Sequence, residues 1–269
     1  MEILIAFAVV LAIGLVLAIL LALVSHFFGV EEDKTFKEIR EALPGVNCGA
    51  CGFKGCDDYA AALAEGKTAP NLCVPGAEGV AKRLGDILHI EVEPPKDVVA
   101  FVHCNGNCEA TATRADYKGI LGCRAASAIY GGPNACTHGC LGLGDCAAAC
   151  PSNAICMKDG IAHVDTSRCI GCGLCMETCP KKVISMVPQE TRTVVMCNSR
   201  DKGADARKAC KNACIGCKKC EKTCPNGAIT VQNNVARIDY RKCTKCGACA
   251  EVCPVHCIHE GNFICGAHF

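Results

Sequence analysis

The chain has 269 residues, 28 of them Cys, with no Trp and only 4% aromatic residues. So few rings exclude a conventional aromatic-rich core, and the cysteine content calls for disulfides or metal as crosslinks. Net charge is +1, but it is unevenly spread: residues 31–101 hold 13 acidic against 8 basic side chains, and residues 181–245 hold 15 Lys/Arg against 5 Asp/Glu.

Ile3–Val24 is a run of 22 residues without a charged or polar side chain. As a helix it spans roughly 33 Å, against a hydrocarbon core of about 30 Å. A soluble helix is rarely apolar on every side for that length. A signal peptide would open with a basic stretch, whereas this chain opens Met1-Glu2. Residues 1–25 are therefore expected to form a single transmembrane anchor. Lys34, Lys37 and Arg40 follow the span and no Lys or Arg precedes it, which places the bulk of the chain on the cytoplasmic side of the cell membrane. Thiolates also survive best in that reducing compartment.

Residues 26–95 contain Cys48-x2-Cys51-x4-Cys56-x16-Cys73, interleaved with Gly49, Gly52 and Gly55. The glycines let the backbone turn and aim N–H groups at a charged centre. A helix over Asp57–Glu65 brings Cys73 back to close the site. Four thiols in this pattern suit zinc as well as a [4Fe-4S] cluster. Residues 96–135 read as a connecting segment, with Cys104, Cys108 and Cys123.

Two modules follow, at 136–190 and 191–269. Their strongest signals are Cys169-x2-Cys172-x2-Cys175-x3-Cys179-Pro180 and Cys243-x2-Cys246-x2-Cys249-x3-Cys253-Pro254. Three thiols of such a run hold one cubane and the fourth reaches the neighbouring one. Cys214, Cys217, Cys220 and Cys224-Pro225 form the partner run of the second module. In the first, Cys140, Cys146 and Cys150-Pro151 fall at matching offsets, but Leu143 occupies the second ligand position. Cys136 is the expected substitute; without it that centre would be a three-iron cluster.

Nine cysteines, from Cys123 and Cys136 to Cys179, recur 74 positions later, from Cys197 and Cys210 to Cys253. That establishes an internal duplication. Each unit is expected to fold as β-α-β pairs, with strands at Ile161–Asp165 and Val235–Asp239. The expected cluster sets are Cys136, Cys140, Cys146 and Cys179; Cys150, Cys169, Cys172 and Cys175; Cys214, Cys217, Cys220 and Cys253; and Cys224, Cys243, Cys246 and Cys249. With the N-terminal set this makes five centres. Cys104, Cys108 and Cys123, with Cys136 in reach, are candidates for a sixth. Cys156, Cys257 and Cys265 read as packing residues, Cys197 and Cys210 carry no assigned role, and His138 reads as solvent-facing. No GxGxxG or GxxxxGK[ST] run and no Ser/His/Asp arrangement occurs, so neither a nucleotide site nor a catalytic residue is expected.

The order of parts, with Glu41-Ala-Leu-Pro-Gly-Val-Asn-Cys-Gly-Ala-Cys-Gly-Phe-Lys-Gly-Cys56 beside an apolar N-terminal helix and ahead of ferredoxin modules, resembles the B subunit of the Rnf complex in its longer, anaerobe-type form. The resemblance implies an α+β protein with one N-terminal transmembrane helix, a small four-Cys iron–sulfur domain and two tandem two-cluster ferredoxin-like modules. It implies a subunit of an ion-translocating ferredoxin:NAD+ oxidoreductase that takes electrons from soluble ferredoxin. Those electrons would pass to membrane-embedded and flavin-bearing partner subunits, coupled to Na+ or H+ transport, with lipid around the anchor and no nucleic-acid partner. The iron–sulfur subunit of a membrane hydrogenase, or of a regulator-reducing complex, is the alternative. Anaerobically isolated protein is expected to be brown and to carry about twenty irons per chain or more, four per cubane; zinc in their place would contradict this reading.

Overall fold

The computed structural model describes residues 11, 13–21, 23, 34–93 and 98–260. Half of the expected span Ile3–Val24 lies outside them. Its described residues are helical and their large apolar side chains are exposed, from 52% at Ile19 to 67% at Leu21. Among the described residues, no helix is long and apolar enough to cross a membrane.

Residues 34–93 form a small helical unit from Lys34–Ala42, Cys56–Ala64 and Ala77–Leu88. Asp57 and Asp58 sit in the first turn of the middle helix, where the helix dipole favours negative charge. The third helix ends at His89, whose backbone turns left-handed at φ 54°. Ile39, Tyr59, Leu63 and Leu84 form the core of this unit. The Tyr59 hydroxyl donates to the Ala69 carbonyl (2.7 Å) and accepts from the Leu72 N–H (3.3 Å). One buried ring thus fixes the loop that carries Cys73.

Residues 98–260 contain eight strands in four antiparallel pairs. They are β1 (Val98–Val102), β2 (Ile155–Lys158), β3 (Ile161–Val164), β4 (Ile184–Pro188), β5 (Thr193–Val195), β6 (Ile229–Gln232), β7 (Val235–Ile238) and β8 (Ile258–Glu260). In each module the outer strands pair, β1 with β4 and β5 with β8, and enclose a hairpin, β2–β3 or β6–β7. Both hairpins turn through two residues of positive φ, Asp159-Gly160 and Asn233-Asn234, as a tight turn matched to strand twist requires.

This pairing draws on part of the expected connecting segment at 96–135. Val98-Val-Ala-Phe-Val102 is an apolar run that registers from Val98 opposite Pro188 to Val102 opposite Ile184. It is the first strand of the first module rather than a linker. After it, residues 103–135 form an excursion containing the helix Cys123–Ala128. The excursion is tied to the second module by Lys211 N–H donating to the Ala110 carbonyl (2.8 Å) and the Asn212 amide donating to the Asn105 carbonyl (2.8 Å).

The modules also share apolar packing. Val99, Phe101 and Val187 from the first meet Val194 and Met196 from the second. The helical unit touches the first module at Gly171, where an added Cβ would lie 2.9 Å from Val74 Cγ1. Because the helical unit has its own core, Leu84→Ala is expected to destabilise it by about 2–5 kcal/mol. Hydrogen exchange of the intact chain should then quicken in Lys34–Ala42 and Ala77–Leu88 while β1–β8 keep their protection. Uniform loosening of both regions would contradict separate cores.

Candidate metal centres

Each module carries two short helices that present a cysteine inward: Cys146 on Asp145–Ala148, Cys175 on Leu174–Thr178, Cys220 on Lys219–Thr223 and Cys249 on Ala248–Glu251. The turns before them require glycine where chains pass closely. At Gly142, φ is +74° and an added Cβ would lie 2.4 Å from the Gly160 carbonyl oxygen; Gly216, its repeat partner, would meet Asn234 at 3.0 Å. The loops therefore rest on the hairpin turns, and thiols from both sides face one interior.

Cys73 lies close enough to Cys48, Cys51 and Cys56 for their charges to interact. The same holds for Cys175 with Cys150, Cys169 and Cys172. In the second module it holds for Cys220 with Cys214, Cys217 and Cys253, and for Cys249 with Cys224, Cys243 and Cys246. Burial pushes Cys146 and Cys175 up to about 12, and Cys73, Cys220 and Cys249 up to about 11, with neighbouring thiols adding to the effect. Thiols in this state are protonated, so metal binding must release protons and is tied to folding.

Backbone N–H groups meet several of these sulfurs. Ala154 N–H donates to Cys150 and Ala228 N–H to Cys224, each at 3.3 Å and at equivalent places in the repeat. Ala100 on β1 donates to Cys169 at 3.4 Å. Such donors stabilise charge on cysteine-held clusters and tune their potentials. Among the described residues, no three His, Cys, Asp or Glu side chains converge on a single-ion site. Cysteine-only sets of four, several of whose sulfurs meet N–H donors, fit iron–sulfur clusters.

The remaining set of the first module differs from expectation. Cys140, Cys146 and Cys179 line one cavity with Cys123, not Cys136. Cys123 opens the helix in the 103–135 excursion, and its N–H and that of Arg124 donate to the Asp145 carboxylate at 2.9 and 3.1 Å. Asp145 begins the helix that carries Cys146, so one carboxylate holds both cysteines in place. The excursion thus brings a thiol where Leu143 has none. A fourth thiol is at hand, which removes the reason for expecting a three-iron centre there.

Cys136 lies instead in a second cavity between the modules, lined also by Cys104, Cys140, Cys197 and Cys210. Cys104, Cys108 and Cys123 are not brought together: Cys104 and Cys123 line different cavities, and Cys108 is exposed. The signal for Cys210 was available in the repeat. The second module already has four thiols for its first set, so Cys210 is surplus there, and by symmetry so is Cys136. His138 is half-buried rather than solvent-facing, with Nε2 3.2 Å from Asp201 Oδ1.

Cys257, read as a packing residue, is buried, with its sulfur 3.7 Å from that of Cys253. Hydrogen bonding from Cys257 holds Cys253 and Cys214 below the usual thiol range, and its own thiol is pushed above it. Cys156 lies on β2 opposite His163, and Cys265 lies outside the described residues.

Three protein families match the chain: an Fe–S cluster family over residues 43–75, a 4Fe-4S binding domain over 162–185 and a 4Fe-4S dicluster domain over 213–257. The chain is 42% identical to the B subunit of the Na(+)-translocating ferredoxin:NAD(+) oxidoreductase complex of Acetobacterium woodii, over 91% of this chain and 74% of that one. It is 43% identical to the B subunit of the proton-translocating ferredoxin:NAD(+) oxidoreductase complex of Clostridium ljungdahlii, over 91% and 88% of the two chains. Identity to the B subunit of the ion-translocating oxidoreductase complex of Methanosarcina acetivorans is 38%, over 92% and 94%. With family matches on the thiol-bearing segments and relatives aligned along nearly the whole chain, the protein belongs to the family of B subunits of ion-translocating ferredoxin:NAD(+) oxidoreductase complexes, the Rnf family.

Proposed function

We propose that this chain is the electron-relaying subunit of a membrane complex that oxidises reduced ferredoxin and passes electrons toward NAD, with Na+ or H+ translocation carried out elsewhere in the complex. The observation that carries the reading is the placement of the thiol sets. One end of the array is exposed and basic, and the other adjoins the N-terminal unit. Cys217 and Cys246 are the exposed members of the second module's two sets. Lys218, Lys219, Lys222, Arg241 and Lys242 are exposed around them. At the far end, Cys172 lies near enough to Cys48 for the two thiols to interact.

Five sets would each hold a [4Fe-4S] cluster: Cys48, Cys51, Cys56 and Cys73; Cys123, Cys140, Cys146 and Cys179; Cys150, Cys169, Cys172 and Cys175; Cys214, Cys217, Cys220 and Cys253; and Cys224, Cys243, Cys246 and Cys249. When bound, such clusters supply one-electron redox sites at about −400 mV, the range of ferredoxins. The chain's own residues donate N–H bonds to the sulfurs and hold neighbouring sets a short distance apart. No residue makes or breaks a covalent bond in the relay.

Residues 1–25 act as a single-pass anchor in the cell membrane, a role supported by the unbroken apolar run. Residues 26–95 carry the first set near the membrane. The first module begins at β1 and includes the 103–135 excursion, and the second begins at about residue 191. Flavin-bearing and membrane-embedded subunits receive the electrons. The basic face of the second module docks an acidic ferredoxin, drawn in by opposite charge.

Reversing Lys218, Lys219 and Lys222 to Glu is expected to slow reduction by ferredoxin about tenfold or more at low salt, and added salt should slow the unaltered protein. Stopped-flow rates indifferent to both would sink the docking face. Cys257→Val, which copies Val183 of the first module, removes a donor to Cys214 and Cys253. A donor to sulfur favours the reduced, more negative state, so this substitution is expected to lower the midpoint potential of one cluster and leave the others unmoved in an EPR-monitored titration. An unchanged set of potentials would show that Cys257 only packs.

A further inference from the structure

Four loop positions beside the cysteines of the first module carry glycine in left-handed backbone: Gly142, Gly144, Gly171 and Gly173, with φ from 68° to 83°. The second module repeats these positions 74 residues later and keeps their backbone shape, but the residues are Gly216, Lys218, Lys245 and Gly247. Lys218 and Lys245 hold φ at 62° and 61°, a conformation that a Cβ disfavours. Each lies next to an exposed thiol, Cys217 and Cys246 respectively. Strain kept beside a functional group points to a use for the side chain.

We propose that Lys245 is the specificity-determining contact for an acidic electron donor, which takes Lys245 from Glu190 and seats over Cys246 as the N-terminal helical unit seats over Cys172. The inference rests on the relay reading and deepens it: one of the two exposed sets is the point of entry, and one residue selects the donor.

The interface within the chain is the first argument. On the first module Gly171 is covered: an added Cβ would lie 2.6 Å from the Val98 carbonyl oxygen and 2.9 Å from Val74 Cγ1 of the helical unit. That seat brings Cys48 within interaction range of Cys172, so one cysteine set is presented to another. Strand register carries the comparison to the second module, with Val102 opposite Ile184 and Val195 opposite Ile258. Hydrogen bonds agree: the N–H of Cys140 donates to Cys104 and that of Cys214, its repeat partner, to Cys197, each at 3.3 Å. Thr191 thus corresponds to Val98, Lys245 to Gly171 and Cys246 to Cys172. Thr191 and Lys245 line one surface pocket with Arg192 and Cys243, the counterpart of the Val74 seat. Among the described residues nothing equivalent to the helical unit covers it: Lys245 and Cys246 are exposed, whereas Cys172 is half-buried.

Charge is the second. Lys245 Nζ lies 2.6 Å from Glu190 Oε2, in the turn between the modules, and the Glu190 side chain is 76% exposed. An exposed pair of this kind is weak, so a carboxylate on the donor replaces Glu190 at little cost. Arg192 lines the same pocket and Lys242 precedes Cys243, which suits the seat to an acidic surface. Glu190 stands in for the donor until then, and a neutral or basic surface fails to displace it. With the donor seated, one electron passes from its reduced centre to the set of Cys224, Cys243, Cys246 and Cys249. No bond or proton moves.

The test measures binding of an oxidised acidic bacterial ferredoxin to the oxidised full-length chain by calorimetry at low salt, alongside stopped-flow reduction. Lys245→Gly installs the residue found at its repeat partner, so the loop keeps its conformation and the iron content should not change. It is expected to weaken binding about tenfold. The ferredoxin concentration for half-maximal reduction should rise by the same factor, with the maximal rate unaltered. Glu190→Gln frees the ammonium and should tighten binding about twofold or more. Lys208→Ala removes one positive charge from the helix Gly203–Ala209, which faces the excursion, and should change binding little. Carbodiimide treatment of the complex should join ferredoxin carboxylates to Lys245. A Lys245→Gly protein that binds as tightly as the unaltered chain overturns the proposal, and so does equal weakening in Lys208→Ala. In both cases ferredoxin still reduces the chain and the relay reading stands. A chain that ferredoxin neither binds nor reduces removes the relay reading and this inference with it.

Discussion

Cysteine sulfur turned inward to meet backbone N–H groups is the constraint on which residues 98–260 depend. The cores of both modules consist of thiols and small aliphatic side chains, with Ile155, Ile161 and Val183 in one and Val195, Ile229 and Val235 in the other. With no Trp and few rings, apolar burial alone leaves little margin for an ordered interior. Each hairpin and each short helix is placed so that a sulfur reaches a shared volume. Protonated thiols there add modest packing energy, whereas metal-bound thiolates crosslink four points of the chain at once.

Duplication explains most of the architecture, and one departure from it explains the rest. Cys104 and Cys197 lie 93 positions apart while Cys136 and Cys210 lie 74 apart, so the first module carries 19 extra residues before Cys136. Those residues bring Cys123 into the cavity that Leu143 leaves one thiol short. The same excursion packs on the second module through Ala110 and Asn105. One insertion therefore brings a fourth thiol to that cavity and fastens the two modules together, with His138 and Asp201 adding a polar contact across the same boundary.

Local pattern made some of this legible in the sequence and left the rest hidden. The Cys-x2-Cys-x2-Cys-x3-Cys runs encode their own geometry, because ligands close in sequence must be close in space. The hairpin strands beginning at Ile161 and Val235 announce themselves by alternation next to turn residues. The pairing of β1 with β4 is different: Val98–Val102 is one short apolar run among many, and its partner lies beyond every cluster loop of the module. Cys123 could not be placed by spacing, since its position depends on how an excursion folds back and on the Asp145 carboxylate that holds it. The constant 74-residue offset also matched Cys123 to Cys197, a coincidence of numbering that only hydrogen bonding to Cys104 resolves.

The central claim is directional: electrons enter at the basic second module and leave beside the helical N-terminal unit. Rapid freeze-quench EPR after mixing the oxidised full-length chain with substoichiometric reduced ferredoxin tests it most directly, with a Cys56→Ser protein identifying the N-terminal signal. The account predicts that second-module signals rise first and that the N-terminal centre follows as they decay. An N-terminal signal that appears first, while the second module is still oxidised, would contradict it.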